Sequence, residues 1–291
     1  MNRALAFIGA LLLAFISVSS ACTAAGPQWI HFTLEPERAN SDRIQASFRN
    51  EERGDRENNW STGFLPSDFV GLDVAGFRGP GSRPLSFAII REAGRVDCSG
   101  HGGESYAAGS CSFTANPAFT RLLESRGIGR PTDEQAFGLM AVNARHDLID
   151  AVAAAHYPTP SIDNLMALSA LGVTGPYISA MAHPGYRPRD IDTLIQFKAL
   201  NITPDWIASF VRMGYANLPG DELVQLKALD ITPDFIAAFD RIGYGHLPVD
   251  QLVQLKAMNI TPEFVQRVAA VDASLPPVDK LVQLKAFDRK H

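Results

Sequence analysis

The C-terminal half of the sequence repeats itself with a period of 29 residues. Four segments nearly copy one another and begin 29 residues apart, at residues 193, 222, 251 and 280: TLIQFKALNITPDWI, ELVQLKALDITPDFI, QLVQLKAMNITPEFV and KLVQLKAFD. Weaker copies extend the pattern back to about Ala115. A fixed period of this size is typical of stacked supersecondary units, so residues 115–291 are predicted to form an α-helical repeat array.

Each repeat has the pattern of two short helices. In the best-preserved copy the first helix is predicted to begin near Asp221 and to carry an apolar stripe that starts at Leu223. The second is predicted to begin with Thr232 as its N-cap and Pro233 in its first turn, and to end at a left-handed Gly243. Helices this short cannot bury their own apolar faces, so neighbouring units must stack into an α-solenoid.

Glutamine and lysine recur at the same two positions of each repeat. These eight residues form the candidate binding ladder: Gln196, Lys198, Gln225, Lys227, Gln254, Lys256, Gln283 and Lys285. One interpretation is structural, with each lysine stem lying along the apolar boundary and each glutamine hydrogen-bonding between units. The other is functional, with the ladder lining one face of the solenoid for an extended ligand. The sequence leaves both open.

Residues 29–114 lack helical periodicity and are predicted to form a small antiparallel β domain. The segment WIHFTL from Trp29 alternates as a strand does and is expected to pair with residues 43–48. The runs PLSFAIIR, GRVDCS and SCSFT, which begin at residues 84, 94 and 110, are read as further strands. The charged residues 50–59 are predicted to form a solvated loop, and residues 64–69 a short helix. The fold class is therefore α+β, a β domain followed by the solenoid.

The first 21 residues are predicted to be a signal peptide. Arg3 precedes the apolar run ALAFIGALLLAFISV, and Ser19-Ser20-Ala21 supplies small residues for cleavage. The run is shorter than the roughly 20 residues that a membrane span needs. Residues 22–28 are then a linker, and Cys22 is a candidate for lipidation because SSAC resembles the bacterial lipobox, except that Ser19 stands where leucine is usual. The protein is expected in the periplasm, free or tethered to a membrane as a lipoprotein.

Cys98 and Cys111 remain as an even pair once Cys22 is set aside. An exported chain would be expected to oxidise two cysteines that lie so close in sequence, so we predict a disulfide bond between them. A metal site built on these cysteines and His101 lacks a convincing fourth ligand.

No recognised catalytic or cofactor motif is found in the sequence. It contains no HExxH, CxxC, Walker loop or dinucleotide fingerprint, so no catalytic, cofactor or metal residue is predicted. The segment HGGESYA combines His101 and Ser105 in a way that superficially resembles an esterase, although a glycine-rich hairpin connection explains it more simply. A net charge of -5 argues against nucleic acid as a partner.

The segment SFAIIREAGRVDCSG, continued by GSCSFTANPAF and the LVQLKALDITPDFI repeats, resembles a known group of proteins. It is similar to uncharacterised bacterial exported proteins and to the extracytoplasmic C-terminal region of some antirepressor-type zinc-peptidase receptors, the beta-lactam-sensor-like family. The resemblance spans residues 85–291 and implies a periplasmic sensing or interaction module. It carries over no activity and no functional residue, because the peptidase needs an HExxH motif and several membrane helices.

We therefore expect an exported, non-catalytic interaction or sensing module that presents a solenoid surface to a protein or cell-envelope ligand. Membrane contact is expected only through the lipid anchor that Cys22 could carry. Two alternatives stay open at this point. One is a hydrolase or enzyme inhibitor that uses a glycine-rich loop at residues 100–110, and the other is a structural spacer.

Overall fold

The computed structural model describes residues 29–38, 40–51, 57–181, 188–272 and 274–288. Within these ranges, a six-stranded antiparallel sheet is followed by twelve helices, which confirms the α+β fold class. The predicted signal peptide, the linker and Cys22 lie outside the described residues. None of the helices in the described ranges has the length and apolar character needed to cross a membrane.

The sheet contains six strands in the order β3-β2-β1-β6-β5-β4. The strands are β1 (Trp29–Glu37), β2 (Asn40–Glu51), β3 (Glu57–Phe64), β4 (Arg83–Arg91), β5 (Gly94–Gly103) and β6 (Tyr106–Ala115). The predicted pairing of the first two strands is confirmed, with Phe32 opposite Phe48. The prediction of a loop over residues 50–59 was wrong at both ends, because β2 continues through Glu51 and β3 begins at Glu57. Cross-strand pairing of the polar ends of β2 and β3 outweighs their charged composition.

The sheet curls so that the ends of its two edge strands, β3 and β4, approach each other. A 3₁₀ turn at Pro66–Asp68, within the predicted short helix, follows β3 and leads to Val70, which pairs with Ala88 of β4. The guanidinium of Arg91, the last residue of β4, lies 4.6 Å from the ring centroid of Phe64. A short helix, α1 (Val74–Arg78), then connects to β4. The curl therefore places the C-terminal end of β3 close to the C-terminal end of β4.

The twelve helices that follow the sheet alternate along the chain between two sets, which we call first helices and second helices. The first helices are α3 (Asp133–Ala141), α5 (Ile162–Ala170), α7 (Ile191–Ala199), α9 (Gly220–Ala228), α11 (Val249–Ala257) and α13 (Val278–Asp288). The second helices are α2 (Pro117–Ser125), α4 (His146–Ala154), α6 (Gly175–Met181), α8 (Pro204–Val211), α10 (Pro233–Asp240) and α12 (Pro262–Asp272). Each first helix packs against the next first helix along the chain.

The helix ends follow local capping chemistry. Thr232 caps α10 as predicted, its hydroxyl accepting from the Phe235 N–H at 3.2 Å, with Pro233 in the first turn. Gly243 is left-handed, as predicted, with φ of 103°. The predicted N-cap at Asp221 was wrong, because α9 already begins at Gly220 and Asp221 lies inside the first turn. There its carboxylate complements the positive end of the helix dipole.

The sheet and the helices as far as α9 share one hydrophobic core. The Phe137 ring of α3 contacts Phe48, Trp60 and Phe113 of the sheet, with centroid distances of 5.7, 6.4 and 5.4 Å. The buried cluster that begins with Ile30 continues through the helices as far as α9. The β part therefore packs directly against α3.

Candidate functional site

The four lysines of the candidate ladder lie over aromatic rings of the preceding second helix. The Nζ atoms of Lys198, Lys227, Lys256 and Lys285 lie 4.8, 5.2, 5.2 and 4.8 Å from the ring centroids of Tyr177, Trp206, Phe235 and Phe264. All four lysines are half-buried. A cation over a ring face is attracted by the ring quadrupole, by about 0.5–1 kcal/mol at exposed sites. The lysine half of the ladder therefore contacts the junction between consecutive units.

Hydrogen bonds reinforce these junctions. Lys256 Nζ also donates to the carbonyl of Asp230 at 2.8 Å, and the Tyr177 hydroxyl donates to the Ile202 carbonyl at 3.2 Å. Burial raises the pKa of Tyr177 to about 12, so the hydroxyl keeps its proton at neutral pH. The ladder lysines and the aromatic residues beneath them thus act as one packing unit.

The tyrosines that recur near the ends of the second helices join the units in the same way. Tyr215 and Tyr244 are buried, and their hydroxyls donate to the carbonyls of Leu247 (2.7 Å) and Pro276. Each bond reaches 32 residues along the chain. Burial raises the pKa of Tyr215 to about 12, which keeps it a donor.

The glutamine half of the ladder faces outward. Gln196, Gln225 and Gln283 are exposed, and Gln254 is half-exposed. On α9, Asp221, Gln225 and Ala228 are all exposed, and their spacing of four and three residues places them on one face of the helix. The side-chain hydrogen bonds that bridge neighbouring first helices come instead from Gln135 and Asn164. These residues donate to Asp163 at 3.3 Å and to Asp192 at 2.9 Å.

The outward stripe recurs on the neighbouring first helices. Its members, which we call the exposed stripe, are Asp192, Gln196, Ala199, Asp221, Gln225, Ala228, Asp250, Gln254 and Ala257. All are exposed apart from the half-exposed Gln254. Short side chains and amides therefore dominate this face of α7, α9 and α11.

The glycine-rich segment 100–110 is not a loop. Strands β5 and β6 continue through it and leave a two-residue turn at Glu104 and Ser105, both left-handed with φ of 54° and 64°. Their N–H groups donate to the carbonyls of Gly79 at 2.6 Å and Phe77 at 2.9 Å, which fixes the turn against α1. The alternative function, a hydrolase or enzyme inhibitor that uses a loop at residues 100–110, therefore has no such loop on which to rely.

The glycines of this hairpin are required by close approach of two backbones. Gly100 and Gly109 are opposite each other in the β5–β6 ladder. A Cβ added at Gly100 would lie 2.2 Å from the Ala108 carbonyl oxygen, and one added at Gly109 would lie 2.2 Å from that of Ser99. The glycine content that predicted a loop is thus explained by strand packing.

Cys98 and Cys111 are opposite each other on β5 and β6 and form the predicted disulfide. Their sulfur atoms are therefore not available as thiolate metal ligands. Among the described residues, no group of three or more His, Cys, Asp or Glu side chains is arranged to hold a metal ion.

A cleft of about 470 Å³ lies between the edge strand β3 and the C-terminal ends of α3 and α5. Its lining includes Arg43, Arg91, five consecutive residues of β3 (59–63), three of α3 and its C-terminal turn (141–143), and Ser169 and Ala170. A second cavity of about 440 Å³ shares Val142, Asn143 and Ser169 with it and continues toward the start of α6. The two cavities therefore adjoin at the C-terminal ends of α3 and α5.

Arg91 is held rigidly in this cleft. Its Nη1 donates to the carbonyls of Met140 and Ala141 at 2.9 and 2.6 Å, so it caps the C-terminus of α3. Partial burial lowers the pKa of the Arg91 guanidinium, and the negative charge of Asp68 partly opposes that shift. Arg43 forms an ion pair with Glu37 at 3.0 Å and also donates to the Gly63 carbonyl.

Sequence reasoning missed this cleft. The alternation of Trp60, Thr62 and Phe64 was a usable strand signal, but the charged run before it was read as a loop. The approach of Arg91 to β3 depends on the curl of the sheet, which leaves no local pattern in the sequence. Comparison of the chain with protein-family models, curated proteins and solved structures found no match.

Proposed function

We propose that this chain is an exported, non-catalytic interaction module whose helices form an α-solenoid and present one face to a protein or cell-envelope ligand. The observation that carries the proposal is the exposed stripe on α7, α9 and α11, which repeats the same three residue types on each helix. The disulfide is compatible with export into an oxidising compartment. The resemblance to extracytoplasmic regions of receptors favours a role in sensing.

The solenoid is supported by where the helices begin. Successive first helices begin at Asp133, Ile162, Ile191, Gly220, Val249 and Val278, and successive second helices at Pro117, His146, Gly175, Pro204, Pro233 and Pro262. Every step is 29 residues, the period of the sequence repeat. The lysine–aromatic contacts recur at the same step, as units that pack mainly on their neighbours would require.

The composition of the exposed stripe suits close approach by a partner. Alanine at an exposed position leaves room for the partner's backbone, and each glutamine offers both a donor and an acceptor. Stacked helices lie about 8–10 Å apart, so the glutamines would form a row with that spacing. The cores of protein interfaces are depleted in charged residues, and the centre of this stripe is uncharged.

The test places negative charge on the stripe. The triple variant Gln196→Glu, Gln225→Glu, Gln254→Glu is expected to reduce capture of a partner by about tenfold in in-cell crosslinking read by mass spectrometry. The changes lie at exposed or half-exposed positions, so the fold should persist and can be checked by circular dichroism.

A matched control places the same three charges on the second helices. Ser179, Val211 and Gln266 are exposed there, and their replacement by Glu should leave capture unchanged. Equal capture by both triple variants would contradict the proposal that the stripe binds a partner.

Export and lipidation are tested by the intact mass of the mature protein. Cleavage after Ala21 alone and cleavage with lipidation of Cys22 give different masses, and Cys22→Ser should abolish only the lipidated form. A mass that retains residues 1–21 would contradict processed export.

A further inference from the structure

The cleft beside β3 follows the edge of the sheet. Residues 59–63 are consecutive and all line it. Because successive residues of a strand point to opposite faces, a cleft on one face would be lined by alternate residues only. In the described part of the chain β3 pairs with β2 alone, so its outer edge has no strand partner there. An unpaired edge is a template for another strand.

The opposite wall has small side chains at its centre. It is formed by the ends of α3 and α5, where Ala141 and Ala170 carry short side chains. An added strand would lie about 4.8 Å from β3, and five residues of β3 span roughly 16 Å at about 3.3 Å each. The edge of β3 in the cleft therefore offers about five residues for pairing with an extended segment.

The lining of the cleft is cationic. Arg43 and Arg91 line it, and among the described residues no aspartate or glutamate does. The two carbonyls that Arg91 binds use only its Nη1, so the guanidinium has further N–H groups that can donate. Glu37 offsets part of the charge of Arg43. Charge complementarity thus favours a ligand that carries a carboxylate.

We propose that the cleft binds a short extended peptide with a carboxylate, which adds as a strand to the edge of β3 and places the carboxylate against Arg91 and Arg43. Main-chain hydrogen bonds to β3 supply affinity, as in other cases of strand addition, and the arginines select the anionic group. Ser169 contributes a buried hydroxyl that has no hydrogen-bond partner in the described structure and lies at the junction of the two cavities. This site is separate from the exposed stripe on the helices.

The test uses the full chain and an array of random-sequence octapeptides, with free and with amidated C-termini. Peptides with a carboxylate should bind, and peptides without any carboxylate should bind about tenfold more weakly. Ala170 is exposed and lines the cleft, so Ala170→Glu should weaken binding by about tenfold through like-charge repulsion. Ala170→Lys should retain or strengthen it.

The repeat supplies a matched control. Ala286 occupies the same position of α13 as Ala170 does of α5, is exposed and does not line the cleft, so Ala286→Glu should leave peptide binding unchanged. The triple glutamine variant should also bind peptide normally, which separates this site from the exposed stripe. Absence of any bound peptide, or equal binding by Ala170→Glu and wild type, would overturn the proposal.

Discussion

At the scale of single residues, Gly109 lies where two strands approach closely. An added Cβ there would also lie 2.6 Å from the Gly100 Cα and 2.8 Å from the Phe32 ring. Two of these three neighbours are backbone atoms of paired strands, which cannot give way as the end of a flexible side chain can. The constraint is therefore local to one cross-strand pair beside the disulfide.

We expect Gly109→Ala to destabilise the protein by about 1–3 kcal/mol, the usual cost of overpacking a well-packed site. Urea unfolding followed by circular dichroism measures this change in the free energy of unfolding. Gly245→Ala is the control, because a Cβ there meets nothing within 4 Å. Equal stability of the two variants would contradict the packing explanation.

His146 joins the start of α4 to the turn between β4 and β5. Both its backbone N–H (2.8 Å) and its Nδ1 (2.9 Å) contact the Glu92 carboxylate. The hydrogen bond to Glu92 and the charge of Glu92 raise the pKa of His146, and Asp147 and Asp150 add to the effect. We therefore expect the junction between sheet and helices to depend on pH.

The direction of the pH effect follows from linkage. A raised pKa in the folded state means that the contribution of His146 is fully present below its unfolded pKa of about 6.5 and is lost as pH rises through the folded pKa. We expect His146→Gln and Glu92→Gln each to remove this fall in the free energy of unfolding, measured by urea unfolding at several pH values. An unchanged pH profile in both variants would show that the pair does not contribute.

At the scale of elements, the lysine–aromatic contacts connect each first helix to the preceding second helix. A double-mutant cycle on Lys227→Met and Trp206→Leu is expected to give a coupling of about 0.5–1 kcal/mol in the free energy of unfolding. The same cycle on Lys256 and Phe235 should give a smaller coupling, because tryptophan binds cations better than phenylalanine. Couplings of zero in both cycles would indicate proximity without interaction.

The tyrosine bonds are a second connection between elements. Tyr215→Phe removes the donor to the Leu247 carbonyl and should lower the free energy of unfolding by about 1 kcal/mol. Thermal or urea unfolding measures the change, with Tyr106→Phe at an exposed site as the control. A variant as stable as wild type would mean that solvent replaces the bond without cost.

Sequence periodicity predicted several elements well because their signals are local. Thr232 and Pro233 cap a helix through contacts within one turn, and the alternation of β1 is visible in its first six residues, WIHFTL. The helix start near Asp221 was misplaced because an acidic residue suits both the cap and the first turn. Local sequence signals thus predict that an element exists more reliably than they predict where it begins or ends.

At the scale of the whole molecule, the cleft could not be read from the sequence. Arg43 and Arg91 are 48 positions apart in the sequence. They line the same cleft only because the sheet curls and α3 packs on it. The ladder residues, by contrast, could be identified from the repeat, but their division into packed lysines and exposed glutamines depends on the arrangement of neighbouring helices. The cleft and the division of the ladder both depend on packing between residues that are far apart in the sequence.

The proposed function depends on the proposed α-solenoid, and small-angle X-ray scattering of residues 29–291 tests it most directly. Six first helices at about 10 Å spacing give an array about 60 Å long before the sheet is added. We therefore predict a radius of gyration of at least about 23 Å, against about 18 Å for a compact domain of this length. A radius near the compact value would contradict an extended solenoid.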